Sequence, residues 1–519
     1  MRANSALNSK PQGSLAAAPM AANRHICILG GGVSGLSTAY YLSNLIKVSS
    51  ISDSTRITLL ESSSRFGGWI ESHKTSLPSN TNNDEIILER GPRTLRPSGI
   101  AGAITLDLVH RLGLSSHISP IPKTSPASRN RFIYYKSCIN PLPSSALSLL
   151  TSYKVPALSG FVKSTILEPF QPRSSHTDES IHEFISRRFG PNVANRLMSA
   201  LTHGIYAGDS HRLSIKSCFR SLYEYEKAYG SIVLGMVRAP KAEVDLESIC
   251  DGDTDRMQFI KNVQTDASIY TFKGGMQELS ATLVGELRKR ENIDVRLGVG
   301  CKKIDIGDDS VEVALSNSTS LKPTTLISTV PTHVLQSIVP VSVSTKLTPF
   351  ITKIPYVSVS VINLLYRSST MLPYTGFGYL IPPGENEMIL GVIFDSCSID
   401  PPPPYTKLTV MIGGHLFDKS SKEYSDEQLV DVALDGLKRH LGIEKKPEVV
   451  VSETQRQCIP QYLVGHDERV QGLRAVVERE WGRGRIVLSG AGLNGVGVGI
   501  NDCIKSARDV AVKVFGGFN

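Results

Sequence analysis

Near the N-terminus a short apolar run, His25-Ile26-Cys27-Ile28-Leu29, meets the turn Gly30-Gly31-Gly32-Val33-Ser34-Gly35. Leu36-Ser37-Thr38-Ala39-Tyr40-Tyr41-Leu42 follows, with the apolar spacing of a helix packed on a sheet. The pattern is G-x-G-x-x-G between a strand and a helix, and it leaves few folds open. Gly30 permits a tight turn, Gly32 lets backbone approach a pyrophosphate, and Gly35 lets helix and strand pack closely. The helix N-terminus then faces the phosphate charge. A second strand, Arg56-Ile57-Thr58-Leu59-Leu60, ends in Glu61 with Ser62 beside it, and a carboxylate at that place holds a ribose diol. Glu61 lies 26 residues beyond Gly35, because residues 49–55 lengthen the preceding loop. A glycine turn without a ligand is the plain alternative for the bare motif. The whole strand–turn–helix–strand–acid unit favours a dinucleotide.

A chain of 519 residues exceeds what one hydrophobic core organises, so two or three structural units are expected. Hydrophobic residues at 40% and charged residues at 20% exclude a disordered or fibrous chain. No apolar run reaches the roughly 18 to 20 residues that a spanning helix needs. The net charge of +8 comes without a dense Lys/Arg cluster interleaved with aromatics, so nucleic acid is not an expected partner. The 8 cysteines contain no CxxC pair, which argues for reduced, mostly buried thiols and against a metal site. Residues 1–23 are Ser/Ala-rich, carry Arg2 and Lys10, and hold no acid. They read as an organelle transit peptide or, failing that, as a disordered tail.

The residues after Glu61 distinguish the dinucleotides. Arg65-Phe66-Gly67-Gly68-Trp69 comes directly after the acid, and Glu89-Arg90-Gly91-Pro92-Arg93-Thr94 some twenty residues later. This R-x-G-G signature resembles the flavoproteins of the amine oxidase superfamily, in which the segment lies along the FAD pyrophosphate. The C-terminal strand Arg485-Ile486-Val487-Leu488 runs into Gly490-Ala491-Gly492 and a second glycine run from Asn494 to Ile500, as in that superfamily. Phe272-Lys273-Gly274-Gly275-Met276 resembles a further superfamily motif. Seven more segments narrow the resemblance to the protoporphyrinogen oxidase family. They are Gly91–Pro97, Asn130-Arg131-Phe132, Gly204–Ser210, Leu213–Phe219, Gly376–Leu380, Cys458–Tyr462 and Asn501–Ile504. Together they span residues 25 to about 510 in the family's order. Arg90 and the acidic stretch 243–255, read as an inserted loop, depart from the family's pattern without touching the motifs.

The resemblance implies a mixed α/β (α+β) fold. A Rossmann-like FAD-binding domain would be assembled from residues 24–105, 271–332 and 450–519. A helical membrane-associating domain would occupy 106–212, and a strand-rich substrate domain 213–270 and 333–449. Val357–Ile362 and Leu408–Ile412 read as strands of that wall from their β-branched content, with a loop at 401–404 between them. Noncovalent FAD would be held by Gly30, Gly31, Gly32, Val33, Ser34, Gly35, Glu61, Ser62, Arg65, Gly68 and Trp69. Gly91, Pro92, Arg93, Thr94, Cys301, Ala491, Val498, Gly499 and Ile500 would complete its site. Arg93 is expected to hold the FAD-side loop.

The implied substrate is protoporphyrinogen IX, with molecular oxygen as the final acceptor and no metal. Arg131 would pair with a propionate, or else make a surface ion pair. Phe377 and Leu380 would sandwich a pyrrole ring, or else pack an ordinary core. Gly204 would offer its carbonyl to the pyrrole N–H groups. No residue is assigned to acid–base catalysis, since the flavin carries the chemistry. The family also implies the mitochondrial inner membrane, a possible homodimer and a possible hand-off to ferrochelatase. Two other classes stay open: an amine-oxidising flavoenzyme, and a flavin-free prenyl-GTPase-binding relative. Finally, residues 136–167 contain no acid but hold Lys136, Lys154 and Lys163 around Ala146–Leu150 and Ile166-Leu167. This pattern suits an anionic membrane surface, or the packing of an inserted helical domain.

Overall fold

The computed structural model describes residues 24–47, 55–77, 85–144, 148, 152–240, 243–307, 310–399, 402–419, 423–481, 484–495 and 497–516. The leader-like residues 1–23, most of Ala146–Leu150, and Pro401 lie outside the described residues. In chain order the strands of the two large sheets are β1 (Arg24–Leu29), β2 (Thr55–Glu61), β3 (Phe132–Tyr135), β4 (Cys138–Pro141), β5 (Ile293–Leu297) and β6 (Thr325–Ser328). They continue as β7 (Tyr356–Tyr366), β8 (Gly378–Leu380), β9 (Ile389–Ile393), β10 (Thr406–Gly413), β11 (Val449–Pro460) and β12 (Ile486–Leu488). The helices that bear on the argument are α1 (Val33–Lys47), α2 (Gly99–Arg111), α3 (Phe161–Leu167), α4 (Ser199–Tyr206), α5 (Ile232–Arg238), α6 (Asp426–Leu441), α7 (His466–Trp481) and α8 (Ile500–Gly516).

A five-stranded parallel sheet has the order β12-β6-β1-β2-β5. Its central strands are apolar on both faces, as a doubly covered parallel sheet requires. Ile26, Ile28, Ile57 and Leu59 point into one core with α1, α8 and the helix Gln277–Arg288. Cys27, Leu29, Leu60 and Leu326 alternate onto the other face, against Leu473 and Trp481 of α7. The three pieces of chain that build this sheet are far apart in sequence.

The second sheet is mixed, in the order β11-β7-β10-β9-β8-β3-β4. Only the β8–β3 contact is parallel, with Tyr379 opposite Phe132 and Leu380 opposite Ile133. The two strands read from sequence, in β7 and β10, pair antiparallel at its centre. One face packs on α6 through Phe132, Tyr134, Tyr379, Leu429 and Leu437. Ile133 and Leu380, on the opposite face, pack with Ala200 of α4.

Two expectations need correction. The acidic stretch 243–255 is not a loop but the helix Leu246–Cys250 and the start of the helix Thr254–Asp266. Its acids are structural: Asp245 and Asp253 cap those helices by accepting from Ser248 N and Arg256 N, each at 3.0 Å. Arg256 and Arg111 then share Asp107 and Asp251, which ties the pair of helices to α2. The stretch 106–212 is also less helical than expected. Its β3–β4 hairpin extends the mixed sheet, Ile118–Pro122 pairs with Ala267–Phe272, and α2 runs across residue 105.

Candidate active site

The C-terminal ends of β1, β6 and β12 converge on one spot, where open α/β sheets place their ligands. Thr329 stands there and donates its hydroxyl to Leu29 O at 2.8 Å. Gly30 adopts φ 102°, and a Cβ on it would meet the Thr329 hydroxyl at 2.7 Å. The same addition at Gly35 would lie 1.9 Å from Gly30 O, so this glycine is required by packing. Gly32 differs, since its added Cβ would meet only the backbone of Gly68, at 3.7 Å and beyond. Space is therefore left at the one glycine over which a pyrophosphate must pass. Gly31 O accepts from Gly67 N at 2.9 Å, which lays the loop of Gly67, Gly68 and Trp69 against the glycine turn.

Glu61 holds this arrangement from the end of β2. Its carboxylate accepts from Gly31 N at 2.7 Å and from Ser63 N at 2.8 Å. Val299 N donates to Glu61 O at 2.8 Å, and Gly300 lies against Ser62, so Cys301 follows directly beside the acid. Val33 and Ser34 begin α1. Ala491, Val498, Gly499 and Ile500 form the turn that enters α8. Cys503 of α8 shares a hydrogen bond with Ser34, which brings the two helix starts together.

Two arginines of the predicted site are already engaged. Arg65 donates to Gly68 O at 2.7 Å and Ile70 O at 3.0 Å and pairs with Glu71 at 3.0 Å, so it shapes its own loop. Arg93 is buried and reaches from the loop of Gly91, Pro92 and Thr94 into the mixed sheet. There it donates to Asp395 at 2.9 Å and Thr409 at 2.5 Å. Its Nε and Nη2 find no partner among the described residues. Gly91 approaches Trp69 O so closely that a Cβ would lie 2.0 Å from it. Open space at Gly32, the exposed Trp69 and the orphaned Arg93 nitrogens together fit a long, polar, phosphate-bearing cofactor.

The predicted substrate residues lie along β8 and just before it, with Phe377 and Leu380 in two different apolar clusters. Asn130 O accepts from Phe377 N at 2.9 Å, so Arg131 lies beside Phe377. Phe377 rests on Ile121, Ala127 and Ile269. Gly204, on α4, faces Leu380: an added Cβ would be 2.7 Å from its Cδ2. His203 beneath it donates Nδ1–H to Ile381 O at 3.0 Å. Sequence reading missed Leu201 and Ile205, which share the exposed face of α4 with Gly204 at helical spacing. That spacing was the available signal. It also missed Arg96: burial, with the positive charge of Arg96 adding to it, pulls the Arg131 guanidinium below its ordinary range. Among the described residues neither Arg96 nor Arg131 has an ion-pair partner. Tyr462 was missed as well; buried beneath the C-terminal turn, it reaches the carbonyls of Ala491 and, at 3.0 Å, Gly497.

Comparison with known proteins accounts for this geometry. The model of the flavin containing amine oxidoreductase family matches residues 33–515. A protoporphyrinogen oxidase of Schizosaccharomyces pombe is 35% identical over 512 residues, covering 94% of this chain and 98% of the relative. The chain is a member of the protoporphyrinogen oxidase family, within the flavin containing amine oxidoreductases. The Homo sapiens protoporphyrinogen oxidase is 33% identical over 503 residues, covering 95% of this chain and 98% of that one. A crystal structure of an Exiguobacterium sp. 255-15 protein superposes with a TM-score of 0.73 at 21% identity, covering 96% and 99% of the two chains. The family is flavin-containing, and its mixed α/β fold is the one that the parallel and mixed sheets build in this chain.

Proposed function

We propose that this chain oxidises protoporphyrinogen IX to protoporphyrin IX, the penultimate step of haem synthesis. The observation that carries the reading is the match to protoporphyrinogen oxidases over 94–95% of the chain, in a fold whose glycine turn leaves space at Gly32 for a cofactor phosphate. Six electrons leave the substrate in three two-electron steps, and molecular oxygen accepts them as hydrogen peroxide. Noncovalent FAD, when bound, supplies the hydride acceptor. Gly32 and Gly68 would make room for its phosphates, Glu61 would hold the ribose end, and residues of the turn from Ala491 to Ile500 would complete its site. Leu201, Ile205, Phe377 and Leu380 give the tetrapyrrole apolar walls. Arg131 and Arg96, two cations without carboxylate partners among the described residues, offer their guanidinium forks to propionates.

Aerobic incubation with protoporphyrinogen IX tests the reading. Porphyrin fluorescence should rise faster than autoxidation, with one peroxide per two electrons. A rate equal to the protein-free control would overturn it. Acid precipitation should release the flavin into the supernatant, and flavin retained on the chain would refute noncovalent binding.

The reading extends to location. Among the described residues no helix is long and apolar enough to cross a membrane. The acid-poor segment 136–167 supports attachment to an anionic membrane surface, and the leader-like residues 1–23 support the mitochondrial inner membrane.

A further inference from the structure

The strand that carries Leu380 is only three residues long. Gly376 precedes it and Gly378, at φ 135°, opens it, while Pro382 and Pro383 follow shortly after. Its ladder to β3 comprises two residue pairs, and its ladder to β9 three. Tyr379, the middle residue, points the opposite way from Leu380, into the core under α6. Its hydroxyl donates to His440 Nδ1 at 2.8 Å. His440 Nε2 lies 3.4 Å from Glu387 Oε1, and Glu387 is clasped by Arg439, with Arg439 Nη2 at 3.0 Å from its Oε2. Tyr134 of β3 packs against the imidazole with its ring tilted by 39°, at 3.9 Å between ring centres.

This is a chain of polar groups inside an otherwise apolar cluster. Such a chain contributes little net stability compared with apolar packing, but its bonds are directional and fix one arrangement. Burial holds the Tyr379 hydroxyl well above its ordinary range, so it keeps its proton to donate. Burial pushes the Glu387 carboxyl up, yet hydrogen bonds from His440 and Arg439 outweigh it and hold the group at about 2. The carboxylate therefore accepts from Nε2–H, which leaves Nδ1 as the acceptor that the tyrosine needs.

We infer that Tyr379, His440 and Glu387 form a positioning clamp, which acts through the sheet to fix where Leu380 stands against Gly204. Neighbouring residues of a strand face opposite ways, so an anchored Tyr379 ring sets the place of Leu380. The inference rests on Leu380 being a residue of the porphyrinogen site.

Three variants separate the clamp from mere stability. Tyr379→Phe removes one hydroxyl, His440→Leu removes both polar partners, and His440→Gln keeps a donor and an acceptor. The first two should raise KM for protoporphyrinogen about fivefold with kcat within about twofold of the unaltered enzyme. His440→Gln should recover much of that loss. Amide exchange of 378–380 in the flavin-loaded protein should quicken in Tyr379→Phe and His440→Leu. Trp481→Phe, in the core under the other sheet, should lower the melting temperature and leave KM alone. Unchanged KM and exchange in Tyr379→Phe, or an equal KM rise in Trp481→Phe, would overturn the clamp. Were the unaltered enzyme inactive on porphyrinogen, the proposed function would fall, and the exchange measurement would still decide whether the clamp exists.

Discussion

Two glycines three positions apart do different work, and substitution should separate them. A valine at Gly32 finds space in the protein itself, since the nearest atom to its Cβ would be Gly68 Cα at 3.7 Å. Gly32→Val should therefore fold, melt within a few degrees of the unaltered chain, and lack flavin absorbance. Gly35→Ala would drive a methyl to 1.9 Å from Gly30 O. Overpacking of this kind costs about 1–3 kcal/mol or more, so this variant should lose melting temperature as well as flavin. Two flavin-loaded variants would refute the cradle. Among the proposed substrate residues, Arg131→Ala should raise KM by roughly tenfold or more, the worth of about one charge-assisted hydrogen bond, and change kcat little. Its partner would be a propionate remote from the oxidised methylene. Arg131→Lys should recover only part of the loss, because the planar fork is gone. A collapsed kcat at constant KM would remove Arg131 from this role.

At the level of elements, α7 begins with a histidine that the rest of the fold keeps neutral. His466 is fully buried, stacks on Tyr462 at 4.0 Å, and is pushed down to about 4 by burial, with the nearby Arg469 adding to the effect. The unfolded chain takes up this proton near pH 6.5, whereas the folded one resists until about 4. Between those values the unfolded state binds more protons, so stability is whole above the upper one and falls as pH drops toward the lower. The loss sums to about 3 kcal/mol. Thermal melts across that window should show it, and His466→Phe, which keeps the stack, should flatten the dependence. Elements whose determinants are local were legible in sequence. The unit from β1 to Glu61 is set by apolar runs and glycines within 40 residues, and β7 and β10 by β-branched residues. The helices at 246–266 were hidden because their acids read as a solvated loop. Their meaning lies in Asp107, 149 positions from Arg256. Shorter but still nonlocal separations conceal Tyr379 from His440, 61 positions apart, and Arg96 from Arg131. Pairing across a fold leaves no local pattern, so the candidate substrate residues were reachable only through family resemblance.

On the scale of the whole molecule, one surface is at odds with water. Tyr153, Ile166, Phe170, Met236 and Val237 are all exposed, Phe170 to 82% and Val237 to 78%. They belong to α3, α5 and the short turns beside α3, which are knotted together from below. Glu168, fully buried, pairs with Arg188 and accepts from Ile232 N at 2.9 Å and Val233 N at 3.1 Å at the start of α5. The knot makes these exposed side chains a rigid patch. Between Tyr153 and Leu167 runs an apolar groove of about 450 Å³ with Lys163 at its side. Apolar side chains flanked by lysines, on elements too short to span a bilayer, suit an anionic lipid surface. Each large side chain that such a surface buries contributes about 1.5–3 kcal/mol. The protein should sediment with vesicles containing anionic phospholipid at low salt, less so with neutral vesicles or added salt. Phe170→Glu with Met236→Glu should release it while flavin content and activity on dispersed substrate stay the same. Equal recovery in the supernatant with and without vesicles would refute lipid as the occupant. If that came with a dimer that the same double substitution splits, the patch would be assigned to a second copy of the chain.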